Sequence, residues 1–196
     1  ICSGGTHTLA GSIGGGASSL IWTSSGTGAF DNASIVAATY TPSAADIAAG
    51  TATLTITTND PAGPCPSVLN AMILTINPTV TVSANVDATI CSNGTYTLAG
   101  SRGGSATAST WTSSGTGTFD DASIVGATYT PSAADIAAGT VTLTITTDDP
   151  AGPCTALSDA MILSINLEAT TDAGADATIC SGGTHTLAGS IGGGAS

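Results

Sequence analysis

Residues 140–147 read TVTLTITT, and residues 51–58 read TATLTITT at the same place in an earlier copy. Threonine alternates with aliphatic residues over the first seven positions of both stretches. An apolar spacing of two predicts a β-strand with one buried face, whereas a helix needs spacings of three and four. We therefore expect Val141, Leu143 and Ile145 to point into a core.

Both stretches belong to a repeat with a period of 89 residues. Residues 1–18, ICSGGTHTLAGSIGGGAS, recur letter for letter at 179–196, and a close variant begins at Ile90. Self-similarity at a fixed period is typical of tandem arrays of one structural unit. The chain therefore resembles a section of a longer array.

The period and the turn signals predict the domain organisation. We expect an immunoglobulin-like repeat lacking its first strand at 1–78, a complete repeat at 79–167 and the start of a third at 168–196. The complete repeat has seven predicted strands, at 79–84, 95–100, 109–113, 115–119, 126–130, 140–147 and 160–166. This pattern predicts an all-β fold of tandem immunoglobulin-like, seven-stranded β-sandwiches in a linear array.

Two local features refine the predicted sandwich. Ser132 and Asp135 have the spacing of an N-cap pair, and Gly139 suits a left-handed exit, so one helical turn is expected there. Trp111 on the third predicted strand is the expected core anchor. Its indole N–H will need a hydrogen-bond partner once it is buried.

The composition excludes several classes of partner. Charged residues make up 7% of the chain, with no lysine, one arginine and thirteen acidic residues, for a net charge of −12. Nucleic acid and anionic lipid are both bound through lysine and arginine. No apolar run is long enough to span a bilayer. We expect neither nucleic-acid binding nor membrane insertion.

Five cysteines fall at two phases of the repeat. Cys2, Cys91 and Cys180 follow the isoleucine of the ICS motif, and Cys65 and Cys154 close the GPC motif. None lies in a CxxC or Cys/His cluster, so no zinc site is predicted. Two cysteines per repeat at fixed phases indicate disulfides and an oxidising exterior, with buried free thiols as the alternative.

Two sets of disulfide pairs are compatible with the sequence. Pairing within a repeat gives Cys2–Cys65 and Cys91–Cys154. In an immunoglobulin-like order these cysteines lie at opposite poles, about 20 Å apart, whereas a disulfide needs Cα atoms within about 7 Å. Opposite poles of neighbouring repeats meet in a head-to-tail array. Strand polarity therefore favours Cys2–Cys154, with the other three cysteines pairing outside the chain.

No catalytic or cofactor-binding residue is predicted. His7 and His185 share one phase of the repeat, and Tyr96 occupies that phase in the middle copy, which does not suit a required base. The glycine-rich GSIGGGAS lacks the lysine of a phosphate-binding loop.

Calcium is the one metal for which the sequence offers candidate ligands, and these candidates are weak. Carboxylates near turns and repeat junctions could supply oxygen ligands, of which calcium takes six to eight. The candidates are Asp87, Asp148, Asp149 and Asp176. The turn chemistry of Asp-Pro is the simpler explanation of the acidic stretch at 148–150.

The phrases DATICSGGTHTLAGS, WTSSGTGAF, ATYTPSAADIAAGT and TLTITTNDPAGPC resemble the immunoglobulin-like or PKD-like tandem repeats of giant Bacteroidota cell-surface adhesins, including gliding adhesins. The WDFGDG signature of PKD modules is replaced here by the WTS that begins at Trp111. The resemblance implies an extracellular or bacterial cell-surface array without catalytic residues. The expected partners are neighbouring repeats of the same chain and lateral copies in a filament.

The expected function is that of a structural repeat of an extracellular filament or adhesin stalk, acting as a spacer and not as an enzyme. Two alternatives stay open. A carbohydrate-binding module of a secreted enzyme would need an exposed aromatic platform. A fimbrial subunit polymerising by strand donation would explain a first repeat that lacks its first strand.

Overall fold

The computed structural model describes residues 1–59, 65–150 and 152–194. It is all-β, with 39% strand and 6% helix, and it consists of tandem β-sandwiches, as the sequence predicts. The chain divides into two compact units. Unit 1 comprises Ile1–Thr81, Gly103–Thr107 and Asp148–Leu157, and unit 2 comprises Val82–Arg102, Ala108–Thr147 and Ser158–Ser196.

Unit 1 contains a sandwich built from the first repeat. Its elements are β1 (His7–Thr8), β2 (Leu20–Ser24), β3 (Ala29–Phe30), β4 (Thr39–Thr41), α1 (Ala44–Ala49), β5 (Thr51–Thr58) and β6 (Leu69–Thr75). One sheet has the order β1-β4-β3 and the other β2-β5-β6, with antiparallel pairs throughout. Leu9 and Tyr40 on one side share a buried core with Trp22 and Leu54 on the other.

The second repeat forms the sandwich of unit 2. Its elements are β7 (Thr81–Ser83), β8 (Ala88–Cys91), β9 (Tyr96–Thr97), β10 (Ser101–Gly103), β11 (Ser109–Ser113), β12 (Thr118–Phe119), β13 (Thr128–Thr130), α2 (Ala133–Ala138), β14 (Thr140–Thr147) and β15 (Ser158–Asn166). The sheets run β12-β13-β9 and β11-β14-β15-β8, and β7 pairs with β10. Leu98 and Tyr129 share a core with Trp111 and Leu143.

The threonine-alternating strand behaves as predicted. Val141, Leu143 and Ile145 on β14 are all buried, and the threonines between them are exposed or half-buried. Burying each of these aliphatic side chains contributes about 2 kcal/mol to the free energy of folding. Trp111, directly opposite Ile145 on β11, is buried, and its indole N–H donates to Val125 O at 3.3 Å.

The predicted helical turn is also present. Ser132 caps α2, and its side chain and that of Asp135 form a reciprocal capping box. Gly139 ends the helix with φ 75°, a left-handed conformation that glycine adopts without a Cβ clash. Within the part of the chain that is described, the structure shows no helix with the length and hydrophobicity needed to cross a membrane.

The structure adds two strands, β8 and β10, to the seven predicted for the second repeat. Strand β8 pairs in parallel with the end of β15, so that Cys91 lies opposite Asn166. Its alternation covers only Ala88 and Ile90, which is too short to stand out in the sequence. Strand β10 reads SRG and has no apolar residue to mark it.

The C-terminal residues of unit 2 form a hairpin-like pair of short strands. Strand β16 (Thr170–Asp172) pairs antiparallel with β17 (Ser190–Gly192). Leu187 in this region is 84% exposed, whereas Leu98, its equivalent by the 89-residue offset, is 3% exposed. This third copy of the motif therefore lacks the core that buries it in the second repeat.

Candidate functional site

A buried aspartate organises one corner of the unit 2 sandwich. Oδ2 of Asp135 accepts hydrogen bonds from the Tyr129 hydroxyl at 2.8 Å, from Gly117 N at 2.8 Å and from Ser132 N at 2.9 Å. Its Oδ1 accepts from Thr116 N at 3.0 Å. We call this arrangement the aspartate hub, because it joins the start of α2 to β13 and to the turn before β12.

Unit 1 contains the same hub, centred on Asp46. The Tyr40 hydroxyl donates to its Oδ2 at 2.8 Å, and Gly28 N and Ser43 N donate to the same oxygen at 2.9 Å. Thr27 N donates to Oδ1 at 3.1 Å. Both aspartates are 3% exposed, so these bonds replace water that the carboxylates lose on folding.

The hub holds its aspartate in the ionised form. Burial raises the pKa of Asp135, but the hydrogen bonds from Ser132 N, the Tyr129 hydroxyl and Thr116 N outweigh it and lower the pKa from 3.8 to about 2. The pKa of Asp46 is lowered for the same reasons. Burial, and then the hydrogen bond and charge of Asp135, raise the pKa of Tyr129 above 10.

The hub resembles a proton relay only superficially. Ser113 Oγ lies 2.8 Å from the Tyr129 hydroxyl, which donates to Asp135. The carboxylate is an ionised acceptor held by three backbone N–H groups, and the tyrosine keeps its proton. A general base near neutrality needs a pKa raised toward 7, and that of Asp135 is lowered. The arrangement stabilises a sandwich corner.

The hub also explains the glycines of the GTG motif. A Cβ atom on Gly117 would overlap the Tyr129 hydroxyl and Thr130 O, and one on Gly115 would overlap the Asp135 carboxylate. The backbone approaches the side chains too closely for any larger residue. The sequence indicates the cap pair Ser132 and Asp135, but not its link to the tyrosine. The fixed spacing of SGTG, TYT and PSAAD in both repeats is the signal that could have revealed it.

A disulfide joins Cys2 to Cys154 within unit 1. Their Cα atoms are 5.3 Å apart, and 152 positions separate them in the sequence. Cys2 forms a parallel bridge with Asn77, and Ser3 N donates to Asn77 O at 2.8 Å. Sγ of Cys154 lies 3.7 Å from Pro78 O. This is the pairing that strand polarity favours.

The strand registers show why pairing within a repeat does not occur. Cys2 lies beside Asn77, just beyond the C-terminal end of β6, whereas Cys65 precedes the N-terminal end of β6 at Leu69. The chain from Leu69 to Asn77 rises by about 25 Å, and disulfide Cα atoms must lie within about 7 Å. The Cys2–Cys65 pair is therefore not formed.

The same argument applies to the second repeat. Cys91 lies opposite Asn166, the last residue of β15, and Cys154 precedes Ser158, its first residue. The alternative Cys91–Cys154 is therefore also not formed. Cys65, Cys91 and Cys180 are free and exposed.

The four aspartates considered as calcium ligands have different surroundings in the structure. Asp87 Oδ1 accepts from Ile162 N at 2.8 Å, and Asp148 accepts from the backbone and hydroxyl of Thr107 at 3.0 and 2.6 Å. Asp149 and Asp176 are exposed. Residues 1–59, 65–150 and 152–194 contain no group of three or more His, Cys, Asp or Glu side chains that could hold a metal ion.

No protein-family model and no curated protein matches the chain. Solved structures of cadherin extracellular domains are similar to it. Mouse cadherin-23 EC22–24 has a TM-score of 0.41 at 9% identity, covering 78% of this chain and 56% of that one. Human CDH23 EC21–23 has a TM-score of 0.39 at 14% identity, covering 78% and 61%. Protocadherin Gamma B2 extracellular cadherin domains 3–6 give 0.38 at 11%, covering 78% and 42%.

The chain spans less than two thirds of the length of each of these structures. At TM-scores near 0.4 and identities of 9–14%, the similarity does not indicate a shared activity, ligand or partner.

Proposed function

We propose that the chain is a structural section of an extracellular filament or adhesin stalk, in which repeats bounded at 1–78, 79–167 and 168–196 act as spacers. The partners in this proposal are neighbouring repeats of the same chain and lateral copies in a filament. The sequence phrases that resemble Bacteroidota adhesin repeats support a bacterial cell surface as the location.

One observation carries the proposal: both repeats build the same hub from equivalent residues. The four hydrogen bonds to Asp46 agree with those to Asp135 to within 0.1 Å. The hub ties helix, strand and turn together, and the lowered pKa of its carboxylate does not suit a general base near neutral pH. Repeating one such unit along a chain adds length without adding chemistry, which supports a spacer.

The disulfide supports an oxidising, extracellular location. A bond between Cys2 and Cys154 persists where thiols are not continuously reduced, as in secreted and surface proteins. A chain with a net charge of −12, no lysine and one arginine also offers little attraction to nucleic acid.

A carbohydrate-binding module is less well supported. Such modules bind sugars on exposed aromatic rings, and all seven aromatic side chains of this chain are buried or half-buried. Phe30 and Phe119 pack against the hub tyrosines, with ring centroids 4.9 and 5.0 Å apart. Glycan arrays with the full chain would detect binding that this burial argues against.

Electron microscopy of the native polymer tests the spacer role. We expect a beaded fibre with about 35–45 Å per repeat, which is the length of a short strand plus its loops. A smooth fibre, or a compact particle in which the repeats interpenetrate, would contradict the proposal. Turnover of a substrate by the purified chain would contradict it as well.

A further inference from the structure

An open groove lies in unit 1 beside β6. It has a volume of about 430 Å³ and is lined by residues of β1, the stretch after β1, β2, β5 and β6. The main lining residues are Gly11, Trp22, Ile56, Asn70, Ala71 and Met72. The lining thus combines apolar side chains with the polar side chains of His7, Ser12 and Asn70.

The equivalent place in unit 2 is occupied by the chain itself. Ala84, directly after β7, is fully buried in the core that contains Trp111, Ile145 and Met161. Its backbone N–H donates to Asp159 Oδ2 at 2.8 Å. By the 89-residue offset these four partners correspond to Trp22, Ile56, Met72 and Asn70, which line the groove of unit 1.

The equivalent methionines of the two units differ in their exposure to solvent. Met161 is 1% exposed, whereas Met72 is only half-buried. Val82 also packs against the unit 2 core, one residue before Ser83 and two before Ala84. The segment Val82-Ser83-Ala84 thus covers apolar surface in unit 2 that stays open in unit 1.

We propose that the unit 1 groove is a strand-acceptor site whose ligand is an extended segment with the sequence of residues 79–89, TVTVSANVDAT. The alanine of that segment packs over Trp22 and Met72, and its N–H donates to the Asn70 side chain. Oδ1 of Asn70 already accepts from Ala71 N at 2.8 Å, and an amide oxygen has a second lone pair for another donor. The proposal rests on the geometry of the groove and does not depend on the spacer role of the chain.

The test is a titration of the full chain with a synthetic peptide of residues 79–89, followed by NMR of labelled backbone amides. We expect saturable shifts and slower hydrogen exchange at Ala71 and Met72. Ala160 and Met161, the equivalents in the filled unit 2, provide an internal control and should not change. Equal shifts in both units, or no saturable shift at Ala71 and Met72, would overturn the proposal.

Matched variants sharpen the test. Asn70→Ala removes the acceptor and should weaken peptide binding about 2- to 10-fold, the value of one hydrogen bond, whereas Asn70→Asp reproduces the acceptor of unit 2 and should retain it. A peptide with Ala84→Asp places a charge at the buried position and should not bind. Unchanged affinity in Asn70→Ala, or binding of the Ala84→Asp peptide as tight as that of the parent peptide, would exclude the proposed pose.

A fusion provides an independent measurement. Residue 89 directly precedes Ile90, the equivalent of Ile1, so joining residues 79–89 to Ile1 without a linker keeps the register. The fused chain should melt at a higher temperature and should no longer bind the free peptide. If the fused chain still bound the peptide with unchanged affinity, the groove would not be the binding site. Protection of Ala71 and Met72 that rises with chain concentration, without peptide, would assign the groove to a second copy and overturn this choice of ligand.

Discussion

Tyr129 donates its hydroxyl hydrogen to Asp135 Oδ2 across 2.8 Å, although the two residues lie on different elements, β13 and α2. Both side chains are buried, and Tyr40 and Asp46 repeat the contact at the same distance in unit 1. A buried carboxylate is costly unless every lone pair finds a donor. The contact is therefore a point at which a small change should have a large effect on stability.

Removing the carboxylate should destabilise unit 2. We expect Asp135→Ala to lower the free energy of unfolding by about 3 kcal/mol, since it leaves three backbone N–H groups and a phenol without an acceptor. Tyr129→Phe should cost about 1 kcal/mol, because only one donor is lost. Urea unfolding monitored by tryptophan fluorescence measures both.

Asp149→Asn is the matched control for the hub variants. Asp149 is exposed, so its substitution should change the stability by less than about 0.5 kcal/mol. If Asp135→Ala behaved like this surface control, the hub would not hold the corner together.

Acid should weaken the fold over a defined range of pH. The pKa of Asp135 is about 2 in the folded chain and 3.8 as a free side chain. Between these values the unfolded state binds more protons, so stability should be constant above about pH 5 and fall as the pH drops from about 4 to 2. Thermal melts across this range measure the slope.

The double variant Asp46→Asn, Asp135→Asn isolates the hub contribution to this acid sensitivity. Asp31, Asp120 and Asp121 also have lowered pKa values, from hydrogen bonds in exposed turns, and they remain in the variant. We expect a flatter acid limb with a residual slope from these groups. An unchanged slope would show that the hub aspartates do not govern it.

A pair of glycine substitutions tests the close approach at the hub. Gly117→Ala places a Cβ against the Tyr129 hydroxyl and should cost about 1–3 kcal/mol through overpacking. Gly126→Ala is the control, because its Cβ would make only an ordinary 3.7 Å contact with Leu98 O. Differential scanning calorimetry should show a lower melting temperature for the first variant alone. Equal melting temperatures would mean that the turn can relax at no cost.

The disulfide predicts a specific peptide map. Digestion without reduction, using a protease that cleaves beside aspartate, should release a crosslinked species containing Cys2 and Cys154, while Cys65, Cys91 and Cys180 react with an alkylating agent. Cys154→Ser should cost about 2–4 kcal/mol, because the crosslink restricts the unfolded chain. Cys180→Ser, at an exposed free thiol, should be neutral. A crosslink between Cys2 and Cys65 would contradict the registers of β6.

The sequence alone predicts those features of the fold that depend on residues close together in the chain. The alternation of TVTLTITT predicts which side chains of β14 are buried, and the spacing of Ser132, Asp135 and Gly139 predicts α2 with both caps. Strand polarity favours Cys2–Cys154, because a disulfide spans only a few ångströms whereas a strand is several times longer. The burial pattern of β14 and the caps of α2 depend on residues close in sequence, and the disulfide depends on its span compared with the length of a strand.

The rest depends on contacts that sequence spacing does not encode. Strand β8 is stabilised by parallel pairing with β15, more than 70 residues away, and its own four residues show little pattern. The hub brings Gly117, Tyr129 and Asp135 together from a turn, a strand and a helix. The groove of unit 1 likewise depends on long-range packing, because the equivalent residues of unit 2 share a core with Ala84.

The Cys2–Cys154 bond also determines how the molecule bears tension. A pull applied at its two ends passes from Cys2 straight through the sulfur atoms to Cys154, so the backbone between them carries none of it. The bypassed stretch of chain, a sequence separation of 152, would span about 50 nm if drawn out. In the oxidised protein this part of the chain cannot be drawn out by such a pull. A reducing agent would release it, and optical tweezers would record a gain in contour length of about that size.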